Sequence, residues 1–117
     1  MTTLNYLRQD LAYMIGGSIS TIPSYFVIGS GSGTTNVAAG SLMHEVDRQL
    51  LSTTTYPTTN KVLLAGDWNS FEASGISLAE YGIAKAITGS IYSRTSFAPI
   101  TFDGTNELRI EETWEVF

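Results

Sequence analysis

Residues 76–117 decide the fold. They contain ISLAEYGIAKAI (76–87), the turn Thr88-Gly89, SIYSRTSFAPI (90–100), DGTN (103–106) and ELRIEETWEVF (107–117). The order is strand, two-residue turn, strand, turn, strand. In the last stretch apolar and polar residues alternate, which is the period of a strand with one buried face. The inward positions are Leu108, Ile110, Trp114 and Val116, and the outward positions are Arg109, Glu111, Thr113 and Glu115. Because the sequence stops at Phe117, we expect its terminus to lie inside the sheet.

The N-terminal segment has helical periodicity. Apolar residues recur three or four positions apart, at Leu4, Leu7, Leu11 and then Met14 or Ile15. Thr2 or Thr3 supplies a candidate cap, and Gly16-Gly17 ends the run, so the sequence predicts one amphipathic helix over residues 3–15. We expect this helix to cover a sheet, with docking into a partner as the alternative.

The middle of the chain predicts further strands. The run 22–29 reads as a buried strand whose first residues lie at a sheet edge, because Pro23 cannot donate a ladder hydrogen bond. Residues 29–36, GSGSGTTN, predict a flexible loop. The stretch 38–51 is ambiguous, since apolar residues spaced by four suggest a short helix before a Thr-rich, β-prone run; they are Leu42, Val46 and Leu50.

A strand is also predicted over residues 61–73, anchored by Val62, Leu64, Trp68 and Phe71, with a bulge at Gly66 that resets its alternation. Turn signals about every ten residues are typical of a sandwich or barrel. The predicted fold is therefore mainly β: an antiparallel β-sandwich of about five to seven strands with one N-terminal helix. We expect a single domain over 1–117, with the sandwich over 22–117.

Composition and charge exclude several classes of function. Charged residues make up 15% of the chain, whereas 39 of 117 residues are Thr, Ser or Gly. With six basic residues and a net charge of −5, the chain lacks the cations that bind nucleic acid or an anionic membrane. There is no cysteine, and no run approaches the about 18 apolar residues of a membrane span. The N-terminus does not resemble a signal peptide, so we expect synthesis in a cytoplasm.

Catalytic, metal and cofactor motifs are incomplete. In the glycine-rich stretch 27–33, Thr34 stands where a dinucleotide fingerprint needs glycine, and no lysine precedes Lys61 to complete a P-loop. His44 is the only histidine, Arg48 occupies the position of the second zinc ligand, and no G-x-S-x-G motif is present. The carboxylates Asp67, Glu72 and Glu80 could in principle pair as in a glycosidase, but they come from different segments. We therefore expect no enzyme, no cofactor and no metal.

Charges on apolar strand faces predict structural ion pairs. Glu80 shares its strand face with Ile76 and Leu78, and we expect it to pair with Arg94 across the Thr88-Gly89 hairpin. Glu112 falls on the apolar face of the last strand, where Arg94 or Arg48 is a candidate partner. Glu45 and Arg48 complete the set of ion-pair candidates.

The order of these motifs resembles small structural proteins of tailed-bacteriophage particles. The matching elements are Ile28-Gly29-Ser30-Gly31, Leu42 to Arg48 as L-x-x-E-x-x-R, Glu80-Tyr81-Gly82-Ile83, Gly89, Arg94 with Phe97 and Ile100, and the strand from Leu108. They span about residues 22–117. A lysine common after the Phe-x-x-Ile stretch is replaced here by Thr101-Phe102, which leaves the subgroup open. The resemblance implies a β-sandwich component of tail fibres, tail collars or capsid appendages, and it brings no catalytic residues.

The expected function is thus a structural virion subunit, made in the host cytoplasm and contacting other virion proteins and further copies of itself. We expect it in the tail or its fibre attachment, with capsid decoration as the alternative. A rival is a sandwich that binds host glycans through exposed aromatics; the candidates are Tyr6, Tyr56, Trp68 and Tyr92. A third class, a small hydrolase, requires a cleft that gathers His44 with a serine or a carboxylate.

Overall fold

The chain folds into two antiparallel sheets. The computed structural model describes residues 2–17, 23–33, 35–38 and 40–115. Its elements are β1 (Thr2–Thr3), α1 (Asn5–Ile15), β2 (Tyr25–Gly29), β3 (Glu45–Leu50), β4 (Thr53–Thr58), β5 (Lys61–Trp68), α2 (Ser70–Ala73), β6 (Ser77–Ala84), β7 (Ile91–Thr101) and β8 (Leu108–Glu115). The five-stranded sheet has the order β1-β7-β6-β2-β3, and the three-stranded sheet has the order β4-β5-β8. The predicted mainly β sandwich with an N-terminal helix is confirmed.

The last three strands belong to two different sheets. β6 and β7 form the predicted hairpin, but β8 pairs with β5, with Gly66 opposite Ile110. The segment through Phe102 therefore crosses from one sheet to the other, and it is fastened where the Phe102 carbonyl accepts from the Gly75 N–H at 2.9 Å. The three consecutive strands do not form a three-stranded meander. Alternation in the sequence indicates which side chains of a strand are buried, but it does not indicate which strand pairs with which.

The alternation predicted for β8 is confirmed. Ile110 and Glu112 are buried, whereas Arg109, Glu111, Thr113 and Glu115 are exposed. Val116 and the expected burial of Phe117 lie outside the described residues. Glu112 thus occupies the apolar face, as its parity predicts.

The five-stranded sheet carries apolar residues on both faces. Between the sheets lies the main core, whose buried members are Phe26, Ile28, Leu64, Trp68, Ile76, Leu78, Ile83, Phe102 and Ile110. On the opposite face a second core contains Leu4, Val27, Leu42, Ala84 and Ile91. The described part of the chain has no third sheet to cover this face. Leu4 from the N-terminal segment and Leu42 from a loop cover it instead.

Helix α1 begins later than predicted. Thr2 and Thr3 form β1 opposite Arg94 and Ser93, and Leu4 is the N-cap residue, which has no side-chain capping bond among the described residues. The prediction of a threonine cap is therefore wrong, whereas the helix does end at Gly16 as predicted.

Two predictions for the middle of the chain are wrong. Residues 45–50 form a strand rather than a helix, because β3 adds to β2 at the sheet edge. β2 itself lies inside the sheet between β6 and β3, and Pro23 precedes it instead of marking an edge strand.

The strand predicted over 61–73 ends at Trp68. Asn69 and Glu72 form a capping box that starts α2, and Phe71 is 87% exposed rather than a core anchor. The predicted bulge at Gly66 is absent, since the fully described strands β5 and β8 pair without a register shift. A Cβ at Gly66 would lie 2.5 Å from Cδ2 of Phe26, so the glycine admits that ring.

Candidate functional site

A buried ion pair joins β6 and β7. Nε of Arg94 lies 2.8 Å from Oε1 of Glu80, and both side chains are fully buried. Glu80 shares its side of the strand with Gly82, which lies opposite Val27 of the second core. The structure therefore brings together the predicted pair, Glu80 and Arg94. The predicted face is wrong, because a register irregularity between Leu78 and Glu80 leaves Leu78 in the main core and puts Glu80 on the outer face of the five-stranded sheet.

The Glu80 carboxylate is satisfied by four donors. Oε1 accepts from Arg94 Nε and from the Met43 N–H at 2.8 Å. Oε2 accepts from the N–H groups of Gly31 at 2.7 Å and His44 at 2.8 Å. We call this arrangement the carboxylate hub. Burial alone would raise the pKa of Glu80, but Arg94 and the three backbone N–H groups outweigh it and hold the pKa below its ordinary value.

The carboxylate hub fastens the glycine-rich loop. Arg94 Nη1 donates to the Gly33 carbonyl at 3.0 Å and to Thr35 Oγ1 at 2.8 Å. A Cβ at Gly31 would lie 2.3 Å from Met43 Cβ, so this position tolerates no side chain. The loop predicted to be flexible is instead packed onto the sheet. Its backbone N–H groups do bind an anion, and that anion is the chain's own Glu80.

The second pair of candidates also meets. Arg48 holds Glu45 with two bonds, Nε to Oε2 at 2.8 Å and Nη2 to Oε1 at 3.0 Å. The same guanidinium donates to the carbonyls of Ala86 at 2.9 Å and Gly89 at 2.6 Å. This pair ties β3 to the turn between β6 and β7.

Glu112 has no cationic partner among the described residues, which corrects the expectation of Arg94 or Arg48. It is 7% exposed, Oε2 accepts from Trp114 Nε1 at 2.7 Å, and Oε1 has no hydrogen-bond partner in the described part of the chain. The reason is geometric: Glu112 lies between the sheets, whereas Arg94 leaves β7 on the opposite face. Burial raises the pKa of Glu112.

A contact missed by sequence reasoning attaches α1 to the sandwich. The buried Asp10 accepts from Lys85 Nζ at 2.9 Å and from the Tyr92 hydroxyl. Hydrogen bonds from Lys85 and then from Tyr92 hold the pKa of Asp10 below its ordinary value. The available signal was its spacing, because Asp10 follows Leu7 by three and precedes Met14 by four on the apolar helix face.

Ser30 and His44 are brought together, which bears on the hydrolase alternative. Ser30 Oγ lies 2.5 Å from His44 Nδ1 at an exposed position. A triad needs a third group that orients the histidine, and no described side chain contacts its other ring nitrogen. The nearby N–H groups of Gly31 and His44, the candidates for an oxyanion hole, donate to Glu80. The geometry therefore supports a loop cross-link.

The three carboxylates considered for glycosidase chemistry do not pair. Asp67 accepts from Arg109 at 2.8 Å, Glu72 belongs to the capping box of α2, and Glu80 lies in the hub. Across the described residues, no group of three or more metal-binding side chains comes together. Neither of the two described helices is long and apolar enough to cross a membrane.

Aromatic residues differ sharply in exposure. Trp68 and Tyr92 are buried at 1% and 0%, whereas Tyr6 is 40% exposed and Tyr56 is 76% exposed. Of the four candidates for a glycan site, two are therefore available at the surface.

An uncharged apolar groove lies beside the outer strand of the three-stranded sheet. All six residues of β4 are exposed. The adjoining groove has a volume of about 290 Å³ and is lined by Leu7, Leu11, Met14, Pro23, Thr54, Tyr56, Val62, Leu64 and Trp114. No lining residue carries a charge at neutral pH.

Comparisons with protein-family models, with curated proteins and with solved structures find no match to this chain. Its function is therefore inferred from its motifs and its geometry.

Proposed function

We propose that this chain is a structural subunit of a tailed-virus particle, located in the tail or its fibre attachment, which makes protein–protein contacts and catalyses no reaction. The observation that carries the proposal is the carboxylate hub. The residues that resemble phage virion proteins are the ones that meet there: Gly31 from the G-x-G loop, Glu80 from E-x-G and Arg94 from R-x-x-F.

The hub is built for rigidity rather than chemistry. Glu80 has all four of its bonding directions occupied by donors of the chain itself, so it has no capacity left for a substrate. A set of residues that locks a loop, two strands and the segment at Met43 together suits a subunit that must hold its shape under assembly contacts.

Self-association is the second part of the proposal, and β4 with its adjoining groove is the surface for it. Two copies each carrying a net charge of −5 repel, so they can meet closely only where charge is absent. β4 carries no charged residue, whereas the edge strands β3 and β8 carry several. The uncharged edge of β4 ahead of Pro57, beside apolar side chains, favours pairing with a second copy.

Capsid decoration fits the same surface and is the alternative location. A glycan-binding module is favoured by one observation, the 76% exposure of Tyr56 beside Trp114 in the groove. Loss of glycan binding on Tyr56→Ala, measured on a glycan array, would support that alternative.

Mass spectrometry of purified particles tests the virion role. The sample is the virus or induced prophage whose genome encodes this chain, and the comparison is the lysate from which the particles were purified. We expect the chain in intact particles at a fixed ratio to the major capsid protein. Abundance in the lysate with absence from particles would refute the proposal.

Analytical ultracentrifugation tests self-association. We expect a concentration-dependent oligomer that Tyr56→Glu disrupts, because the substitution places a charge in the uncharged groove. Ile87→Glu is the matched control, since Ile87 is 67% exposed and lies in the β6–β7 turn of the other sheet. A monomer at all concentrations, or equal effects of both substitutions, would reject this surface.

A further inference from the structure

Helix α1 is attached to the sandwich by few contacts. Of its eleven residues, Leu7 and Asp10 are the buried ones. The rest of its apolar stripe is only partly covered: Leu11 is 45% exposed and lines the groove beside β4 with Met14, and Ile15 is 89% exposed. N-terminal to the helix, β1 contributes two residues of pairing with β7, and Leu4 is buried in the second core.

The ends of the helix also lack the side chains that usually stabilise them. Its N-cap Leu4 makes no side-chain capping bond within the described residues, the first turn has no acidic residue, and the last turn has no basic residue. Isolated helices shorter than about 12 residues are marginal in water. The helical conformation of residues 5–15 therefore depends on docking, and undocking will unfold the segment.

One ion pair links the helix to the sandwich in the described structure. Asp10 binds Lys85, which follows β6, and Tyr92, which lies in β7. Tyr92 is fully buried and donates to the Asp10 carboxylate. Release of residues 2–15 breaks this contact and withdraws Leu4 from the second core.

The glycine-rich loop is held much more strongly. Residues 30–33 are fastened by bonds to Glu80, Arg94 and the His44 carbonyl. The attachments of the two segments are therefore very unequal. We propose that residues 2–15 form a releasable arm, latched by Asp10, that undocks as a unit while both sheets remain folded.

Release of residues 2–15 would let the subunit fit a neighbouring subunit during assembly, and this role rests on the proposed function. The release itself is a property of the isolated protein. Evidence against a virion role would not contradict release of the arm, and evidence against release would not contradict the virion role.

Native-state hydrogen exchange, followed by mass spectrometry across low urea concentrations, tests the arm. We expect amides of residues 7–15 to exchange through an opening that depends weakly on urea. Amides of β2 and β6 should exchange only through global unfolding. Asp10→Asn weakens a charged hydrogen bond to a neutral one, and that bond is lost both on release of the arm and on global unfolding. It should therefore speed exchange in α1 about tenfold, and exchange in β2 by the same factor.

Asp67→Asn is the matched control. It removes the same charge from the exposed pair with Arg109 on the three-stranded sheet, and it should leave exchange in α1 unchanged. Lys85→Met removes the other partner of the latch and should reproduce the effect of Asp10→Asn. Exchange of α1 with the same urea dependence as β2 would overturn the proposal, as would an α1 exchange rate that neither latch variant changes.

Discussion

The carboxylate hub makes a quantitative prediction about folding stability. Glu80→Ala removes the carboxylate that accepts from Arg94 and from three backbone N–H groups, and it leaves a fully buried guanidinium without a counter-ion. Arg94→Ala leaves Glu80 with its three backbone donors. Both substitutions should therefore destabilise the fold, and Glu80→Ala should cost more.

The magnitude follows from burial. Breaking a buried ion pair by removing one partner costs about 3–5 kcal/mol, much of it from the unpaired charge that remains. The double variant removes both charges, so its cost should fall short of the sum of the single costs by about 2 kcal/mol or more. Glu45 and Arg48 provide a control pair in which the distance from Nε to a carboxylate oxygen is also 2.8 Å. The Arg48 side chain is 6% exposed but also donates to two backbone carbonyls, and the Glu45 side chain is 34% exposed, so the coupling there should be smaller, about 1 kcal/mol.

Urea unfolding measures all of these quantities. Trp68 is 1% exposed in the main core, so its fluorescence reports loss of the sandwich. Four proteins form each cycle: the parent, the two single variants and the double variant. The free energy of unfolding from each curve then yields the coupling energy directly.

Additive effects of Glu80→Ala and Arg94→Ala, within about 0.5 kcal/mol, would refute the reasoning. A coupling no larger than that of Glu45 and Arg48 would show that burial adds nothing to the pair. Either result would remove the hub as the feature that organises the outer face of the five-stranded sheet.

Two further predictions use the same unfolding assay. Gly31→Ala should cost about 2–3 kcal/mol, because its Cβ would overlap Met43 and Glu80 in a packed site. Gly17→Ala, at φ 77° with open space around it, should cost only about 1 kcal/mol, and equal costs would count against a packed loop. Glu112 has a folded-state pKa above its ordinary 4.5, so it favours folding at lower pH, and that contribution is lost as the pH rises through the folded-state pKa. Glu112→Gln should therefore unfold at higher urea than the parent near about pH 8, with the difference shrinking toward about pH 4, and an unchanged difference across that range would contradict the assignment.

Much of the sandwich was predictable because strand faces are encoded locally. The alternation in β8 placed Glu112 on the apolar side, where it is buried. In β6 the predicted partner of Glu80 is right, but the predicted face is wrong, because the register shifts between Leu78 and Glu80. The period of two is a property of the extended backbone, so it holds until a bulge interrupts the strand.

Local patterns misled where tertiary pairing competed with them. Residues 42–50 have apolar residues spaced by four, yet 45–50 form β3, because β2 offered an unpaired edge. Gly66 looked like a bulge, but it is small because the ring of Phe26 lies against it from the other sheet. Neither partner is adjacent in sequence.

The amino-acid sequence by itself determined the class of fold, the buried face of β8 and the pairing of Glu80 with Arg94. The tertiary structure decided which strand β8 joins and on which face of β6 Glu80 lies. It also decided that the glycine-rich loop binds the carboxylate of Glu80, and that Glu112 lies between the sheets with no cationic side chain among the described residues as its partner. The physical reason is range: face alternation arises within a few residues of backbone, whereas strand partners and ion-pair partners depend on contacts between segments that are distant in the chain.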